Sequence, residues 1–261
     1  MRVSLIITTY NRPDALMLVL QSITNQTKLP EEVIIADDGS DDNTKKLITN
    51  YQESSSLNII HSWQEDKGFR AAKSRNKAIA ISNFEYIVLI DGDMILHPKF
   101  IQDHLDNAEP GYFVQGTRVL LTQNSTRQAL NNSTGNFSFL SRGIRNRKNA
   151  IHSNYFSKLL SKKKNYIKGI KTCNMSFYKE DCLNINGFNN DFEGWGREDS
   201  EFAVRLLNSG INRKNVRFNM IQFHLWHKDT ARDSLGQNDE ILSSAIDNHS
   251  NWCDNGINRY L

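Results

Sequence analysis

A chain of 261 residues makes one large domain or two small ones, with enough core to need neither disulfides nor a metal staple. Its 38% hydrophobic, 10% aromatic and 23% charged residues exclude intrinsic disorder, and no run approaches the ~18 apolar residues of a membrane-spanning helix. The net charge of +3 conceals a division: residues 142–171 hold ten Lys or Arg and no acid, leaving the rest of the chain at −7.

In chain order, residues 3–7 and 33–36 are short β-branched runs that read as buried parallel strands. Between them Leu16, Val19, Leu20 and Ile23 recur at helical spacing over residues 13–26, with Asn11 or Asp14 as the cap. Ser40 or Asp41 can cap a second helix through Tyr51. A strand over 57–61, a helix over 71–81 and a strand over 86–90 follow, an alternation that predicts a parallel sheet covered on both faces. Residues 123–165 are rich in Asn, Ser, Lys and Arg and mark a boundary, which predicts parts at 1–122, 123–171 and 172–261. Beyond it come a strand over 174–178, a turn at Gly187-Phe188, and a helix that opens at Glu198-Asp199 and carries Phe202, Ala203, Leu206 and Leu207 on one face.

Such sheets bind ligands beyond the carboxyl ends of their strands, and the unusual polar residues stand there. Thr8-Thr9-Tyr10, Asp37-Asp38-Gly39-Ser40, residues 66–70 and Asp91-Gly92-Asp93 end four successive strands. Two carboxylates around Gly92 offer hard oxygen ligands for Mn²⁺ or Mg²⁺ held jointly with a diphosphate, although Asp-x-Asp also occurs in plain turns. A carboxylate of Asp37-Asp38 can accept from an N–H such as uracil N3, or a residue of that turn can merely cap the next helix. Arg70, Arg75 and Asn76 lie at a strand-to-helix junction suited to phosphate or ribose, whereas Lys73 reads as a solvated charge.

Gly194-Trp195-Gly196-Arg197 suits a mobile lid, and of Glu198 and Asp199 one reads as a general base and the other as an acceptor-binding group, with a bare helix cap at either as the bland alternative. His224 and His227 follow an apolar run; one imidazole with two carboxylates completes a Mn²⁺ site, and spacing favours His224 with His227 in reserve.

The ordered set Ile6-Ile7-Thr8-Thr9-Tyr10-Asn11-Arg12-Pro13, Asp37-Asp38-Gly39-Ser40, Gly68-Phe69-Arg70-Ala71-Ala72 with Arg75-Asn76, and Asp91-Gly92-Asp93 resembles the nucleotide-sugar-binding half of the family 2 glycosyltransferases. Asn174-Met175-Ser176-Phe177, Gly187-Phe188 and residues 194–199 resemble its galactosyltransferase-like and chondroitin-polymerase-like branch. The resemblance implies an α/β GT-A fold: a Rossmann-like, mostly parallel sheet with helices on both faces and an acceptor-binding C-terminal part. It also implies inverting, metal-dependent transfer from a UDP-sugar to a surface glycan such as lipopolysaccharide or capsule. Carried over, Thr8, Tyr10, Asp38 and Arg70 hold uracil or ribose, Arg12, Asn76 and Gly92 join them as substrate-binding residues, and Asp91 takes the ribose or a metal-bound water. Asp93 and His224 take the metal, Trp195 and Glu198 the sugars, and Asp199 the acceptor hydroxyl. A non-catalytic carbohydrate- or nucleotide-binding module is the alternative, and the intact acids speak against it. A nucleotidyltransferase lacks support because no glycine-rich basic loop follows the first strand.

The polar start excludes a signal peptide. Cys173, Cys182 and Cys253 read as free thiols. Both indicate a cytoplasmic protein. The basic stretch 142–171 is either a solvated loop or a peripheral contact with anionic lipid at the inner face of the cell membrane. Nucleic acid is not expected as a partner, since no folded stacking motif accompanies the charge.

Overall fold

A computed structural model gives the fold and describes residues 1–228 and 233–261. Strands β1 (Val3–Thr9), β2 (Glu32–Asp37), β3 (Ile59–Trp63) and β4 (Tyr86–Asp91) alternate with helices α1 (Pro13–Thr24), α2 (Asp42–Ser54) and α3 (Ala71–Ala80). β1 lies between β2 and β4, with β3 outside β2, all parallel. Side-chain alternation divides β1 between two cores. Val3, Leu5 and Ile7 pack with Leu16, Val19 and Leu20 of α1, whereas Ile6 packs with Ala72, Ala78 and Ile79 of α3. The helices therefore cover opposite faces of the sheet.

After β4 the chain forms β5 (Met94–Leu96), α4 (Phe100–Asn107), β6 (Tyr112–Gln115), β7 (Val119–Leu121), α5 (Gln123–Asn131), β8 (Ile144–Arg145), α6 (Asn154–Leu160) and β9 (Lys162–Lys163). Then come β10 (Asn174–Tyr178), α7 (Lys179–Asn184), α8 (Glu198–Asn208), β11 (Asn212–Asn215), β12 (Gln222–His224) and α9 (Leu235–Asp247). The large sheet runs β3-β2-β1-β4-β10-β6-β11-β9. β10 runs antiparallel to both β4 and β6, so β4, β6 and the parallel β11 all end at one edge. A smaller sheet, β5-β12-β7-β8, stands beside it over its own core of Leu18, Ile95, Val119, Ile221 and Phe223.

One sequence expectation changes and two gain detail. α1 begins at Pro13 with no side-chain cap: Asn11 instead accepts from the Asp41 amide, and Asp14 accepts from its neighbour Ala15. Asp41, rather than Ser40, caps α2 through the Asn43 and Thr44 amides. Residues 123–171 are woven into both sheets, β8 pairing with β7 and β9 with β11, which a reading of composition alone could not reveal.

Candidate active site

The crevice forms where β1 and β4 end in register, Thr8 opposite Asp91. The Gly92 amide donates to Thr8 O at 2.7 Å, and a Cβ on Gly92 would stand 2.9 Å from Thr9 Oγ1 and 3.1 Å from Thr8 O. Only glycine lets the two strand ends close this tightly, and the turn places Asp93 beside the smaller sheet. There β12 pairs with β5, His224 opposite Met94, and the Leu225 amide donates to Asp93 O.

That pairing brings both histidines to one carboxylate. Asp93 Oδ2 lies 3.3 Å from His224 Nε2, 3.5 Å from His227 Nε2 and 3.2 Å from Arg12 Nη1. Burial alone would raise Asp93, but His224, Arg12 and His227 offset it and hold the carboxyl below the usual range. Asp93 Oδ1 is buried with no hydrogen-bond partner among the described residues. The ligand atoms of Asp93, His224 and His227 lie within 4.8 Å of one another, and the two imidazole planes cross at 86°. Planes that cross can aim two nitrogen lone pairs at one point, and an orphaned carboxylate oxygen completes the donor set, so these residues fit a divalent cation. His97, Asp103 and His152 cluster similarly, but their imidazoles stack with planes only 8° apart and share no such point.

Arg75 occupies the centre of the crevice wall. Buried on α3, it donates from Nε to Thr8 Oγ1 at 3.2 Å, reaches Glu198 Oε1 at 3.1 Å, and lies 3.5 Å from Asp91 Oδ1. Burial and the neighbouring Asp93 raise Asp91, against the pull of Arg75. At the N-terminus of α8, burial and the adjacent Glu198 push Asp199 up to about 7, again against Arg75. α8 has no capping side chain: its N-cap is Arg197, left-handed at φ 76°.

The remaining candidates divide. Asp38 is buried, with Oδ1 accepting from Gln64 Nε2 and Oδ2 from the Arg70 amide, and burial raises it. Tyr10 is exposed and donates to Asp66 at 2.9 Å. The Arg70 guanidinium donates to Glu65 O, while its Nε is buried without a partner among the described residues. Asn76 is fully buried, and its amide is committed to the Phe188 backbone and Asn190, so it fastens α3 to the 186–190 turn instead of reaching the crevice. Trp195 is exposed, but its loop is pinned: Asn238 Nδ2 donates to the carbonyls of Glu193 and Gly196, and the Gly194 amide to Phe69 O. The lid expected from two glycines is thus a fastened loop here. Arg75, expected at phosphate or ribose, instead organises the acids, and Gln64 was missing from the expected set, hidden because the third strand runs to Trp63 and not His61.

A sheet with this edge, carrying two acids at β4 and two more at a helix start, is the GT-A arrangement, and the chain belongs to glycosyl transferase family 2, whose model matches residues 4–183. The model for the N-terminal domain of galactosyltransferase matches residues 155–228. Among particular relatives, a hyaluronan synthase of Pasteurella multocida is 28% identical over 234 residues, covering 82% of this chain and 23% of that protein. A chondroitin synthase of Escherichia coli is 26% identical over 82% of this chain and 33% of its own. A validoxylamine A glucosyltransferase of Streptomyces hygroscopicus subsp. limoneus is 28% identical over 80% and 48% respectively. The chain thus spans a quarter to a half of these relatives. The S. aureus TarS structure, residues 1–349 in complex with UDP, shares the fold at TM-score 0.62 and 14% identity, covering 94% of this chain and 65% of that one.

Proposed function

We propose that this protein is an inverting glycosyltransferase that moves a hexose or N-acetylhexosamine from a UDP-sugar to a surface-glycan acceptor such as lipopolysaccharide or capsule. One observation carries the reading: a metal-suited trio, Asp93, His224 and His227, shares a crevice with an acid, Asp199, poised near neutrality. The UDP complex of the TarS neighbour supports a uridine donor, and the synthase relatives support a glycan acceptor.

In this reading Asp93 with His224 and His227 would hold Mn²⁺ or Mg²⁺, which supplies charge neutralisation for a departing diphosphate. Thr8, Tyr10, Arg12, Asp38 and Arg70 line the nucleotide side, and Asp91 and Gly92 the ribose and diphosphate. Arg75 holds Asp91 and Glu198 in position, at 3.5 and 3.1 Å. Trp195 and Glu198 receive the sugars. Asp199 takes the proton from the acceptor hydroxyl as it attacks the anomeric carbon opposite the leaving UDP, which inverts that centre. Residues 1–122 form the donor part and 172–261 the acceptor and catalytic part.

No helix among the described residues is long and apolar enough to cross a membrane. A cytoplasmic protein attached peripherally to anionic lipid is supported by Arg142, Arg145, Arg147 and Lys148 accompanied by exposed Leu140, Tyr155, Phe156 and Leu159.

The deciding experiment is UDP-sugar hydrolysis and transfer across a donor panel with Mn²⁺. Asp199→Asn should retain UDP-sugar affinity while kcat falls by about 10²–10⁴-fold. Absence of hydrolysis and transfer with every donor would instead leave a binding module.

A further inference from the structure

A cavity of about 290 Å³ lies on the large sheet away from the catalytic acids, lined by Thr117, Leu160, Lys162, Lys164, Asn215 and Arg217. Three of the six lining residues are cations and none is an acid.

The strand register explains how three successive lysines come to serve different purposes. Directly opposed residues of an antiparallel pair share a face, and β9 sets Lys163 against Lys214 and Lys162 against Asn215. On the Lys163 face Glu109 accepts from both Lys163, at 2.7 Å, and Lys214, at 3.4 Å. On the other face stands Lys162, and Lys164 rejoins it two residues on, its amide held by Arg213 O. Arg217 follows Asn215 by the same interval. Lys164 Nζ donates to Tyr166 OH at 2.8 Å, and Arg217 lies over the Phe218 ring, but among the described residues no carboxylate pairs with Lys162, Lys164 or Arg217. One face of this strand pair is neutralised from within the protein, and the other gathers uncompensated positive charge around a hollow.

The hollow also has a position relative to the reaction. β6 and β11 run parallel to β4, so Thr117, Asn215 and Arg217 emerge at the same edge as Asp91. They lie two to three strand positions further along, about 10–14 Å at ~4.8 Å per strand. The nucleotide is assigned to the ends of β1, β2 and β4, and the cavity lies on the opposite side of the acids, where an extended acceptor would run.

We propose that this cavity is an anion subsite that receives a phosphate or carboxylate carried by the acceptor, so that the enzyme selects a negatively charged glycan. The placement rests on the glycosyltransferase reading; the binding of the anion does not. Two ammonium groups and a guanidinium, with Thr117 and Asn215 as neutral partners, can satisfy the oxygens of a tetrahedral or planar oxyanion.

The test is equilibrium dialysis of labelled inorganic phosphate and labelled glucuronate at low ionic strength, with UDP and Mn²⁺ present to fill the donor crevice. The wild-type protein should bind at least one probe saturably. Lys162→Ala/Lys164→Ala should weaken that binding tenfold or more and Arg217→Ala about three- to tenfold, with Lys163→Ala within twofold of wild type. All three should keep wild-type UDP-sugar hydrolysis. No saturable binding, or an equal loss in Lys163→Ala, would overturn the subsite. So would a loss confined to vesicles of phosphatidylglycerol, which would make the lysines a lipid contact. Anion binding that follows these variants in a protein that hydrolyses no UDP-sugar would sink the transferase reading and leave the anion site standing.

Discussion

At the scale of single residues, the acids of the crevice are kept distinct by their neighbours. Asp93 is surrounded by Arg12 and two imidazoles and lies low, while Asp199, buried next to Glu198, is carried up to about 7. A base with that pKa is protonated in acid, so kcat/KM for transfer should rise through pH 6–8 and level off above. Asp199→Asn should remove this limb, which a pH-rate series would reveal. Arg75 is the common counter-ion of Asp91 and Glu198. Replacing it with Met leaves a partly exposed Asp91 and a half-buried Glu198 uncompensated and should cost about 1–3 kcal/mol in denaturant unfolding, and Arg75→Lys should restore charge but not the fork. Arg75 could be read from sequence as a cation at a strand-helix junction. Its partner Glu198 could not, because 123 residues separate them and nothing local announces the pairing. His224 and His227 were legible as ligand types, but it took the β5–β12 register to show that both reach Asp93.

Elements show the same division between local and distant information. The β1-to-β4 half was readable because long apolar runs alternate with helical periodicity. β5, β7 and β12 have three residues each, too few for periodicity to separate from turn, and they become strands only by pairing with one another. A buried polar chain fixes α4 against β10. Asn174 Nδ2 donates to the carbonyls of Thr117 and Met220, so its Oδ1 accepts from His104 Nε2, and His104 Nδ1 then accepts from Ser176, whose oxygen takes the Tyr86 hydroxyl. This order requires a neutral imidazole, and burial accordingly lowers His104 to about 3. The unfolded chain takes up a proton near pH 6.5 that the folded one refuses, so this contribution to stability is complete above 6.5 and is lost as pH falls toward 3. Against His104→Gln, wild-type unfolding free energy should therefore decline with acid by up to about 1.4 kcal/mol per pH unit in that window. The loop bearing Trp195 depends likewise on one distant amide: Asn238→Ala, which removes two bonds to its carbonyls, should destabilise by about 1–3 kcal/mol and raise the donor KM more than it lowers kcat.

Across the whole molecule, charge and exposed apolar surface concentrate in the same stretch. Leu140, Tyr155, Phe156 and Leu159 are exposed alongside the bases of 142–158, so the protein should sediment with phosphatidylglycerol vesicles in low salt. Half-molar salt should release it, and Leu140→Ser with Leu159→Ser should weaken the association severalfold. Composition alone located the bases, but which neighbouring apolar side chains are exposed is decided by tertiary packing. The position of β10 has a consequence for synthesis. The middle of the large sheet is closed by residues 174–178, wedged between β4 and β6. A nascent chain that has delivered the donor half from the ribosome therefore still presents β4 as an open ladder, ready to recruit a strand from another copy. That edge is covered only once synthesis has passed residue 178, which makes the interval between β4 and β10 the period when a chaperone would matter most.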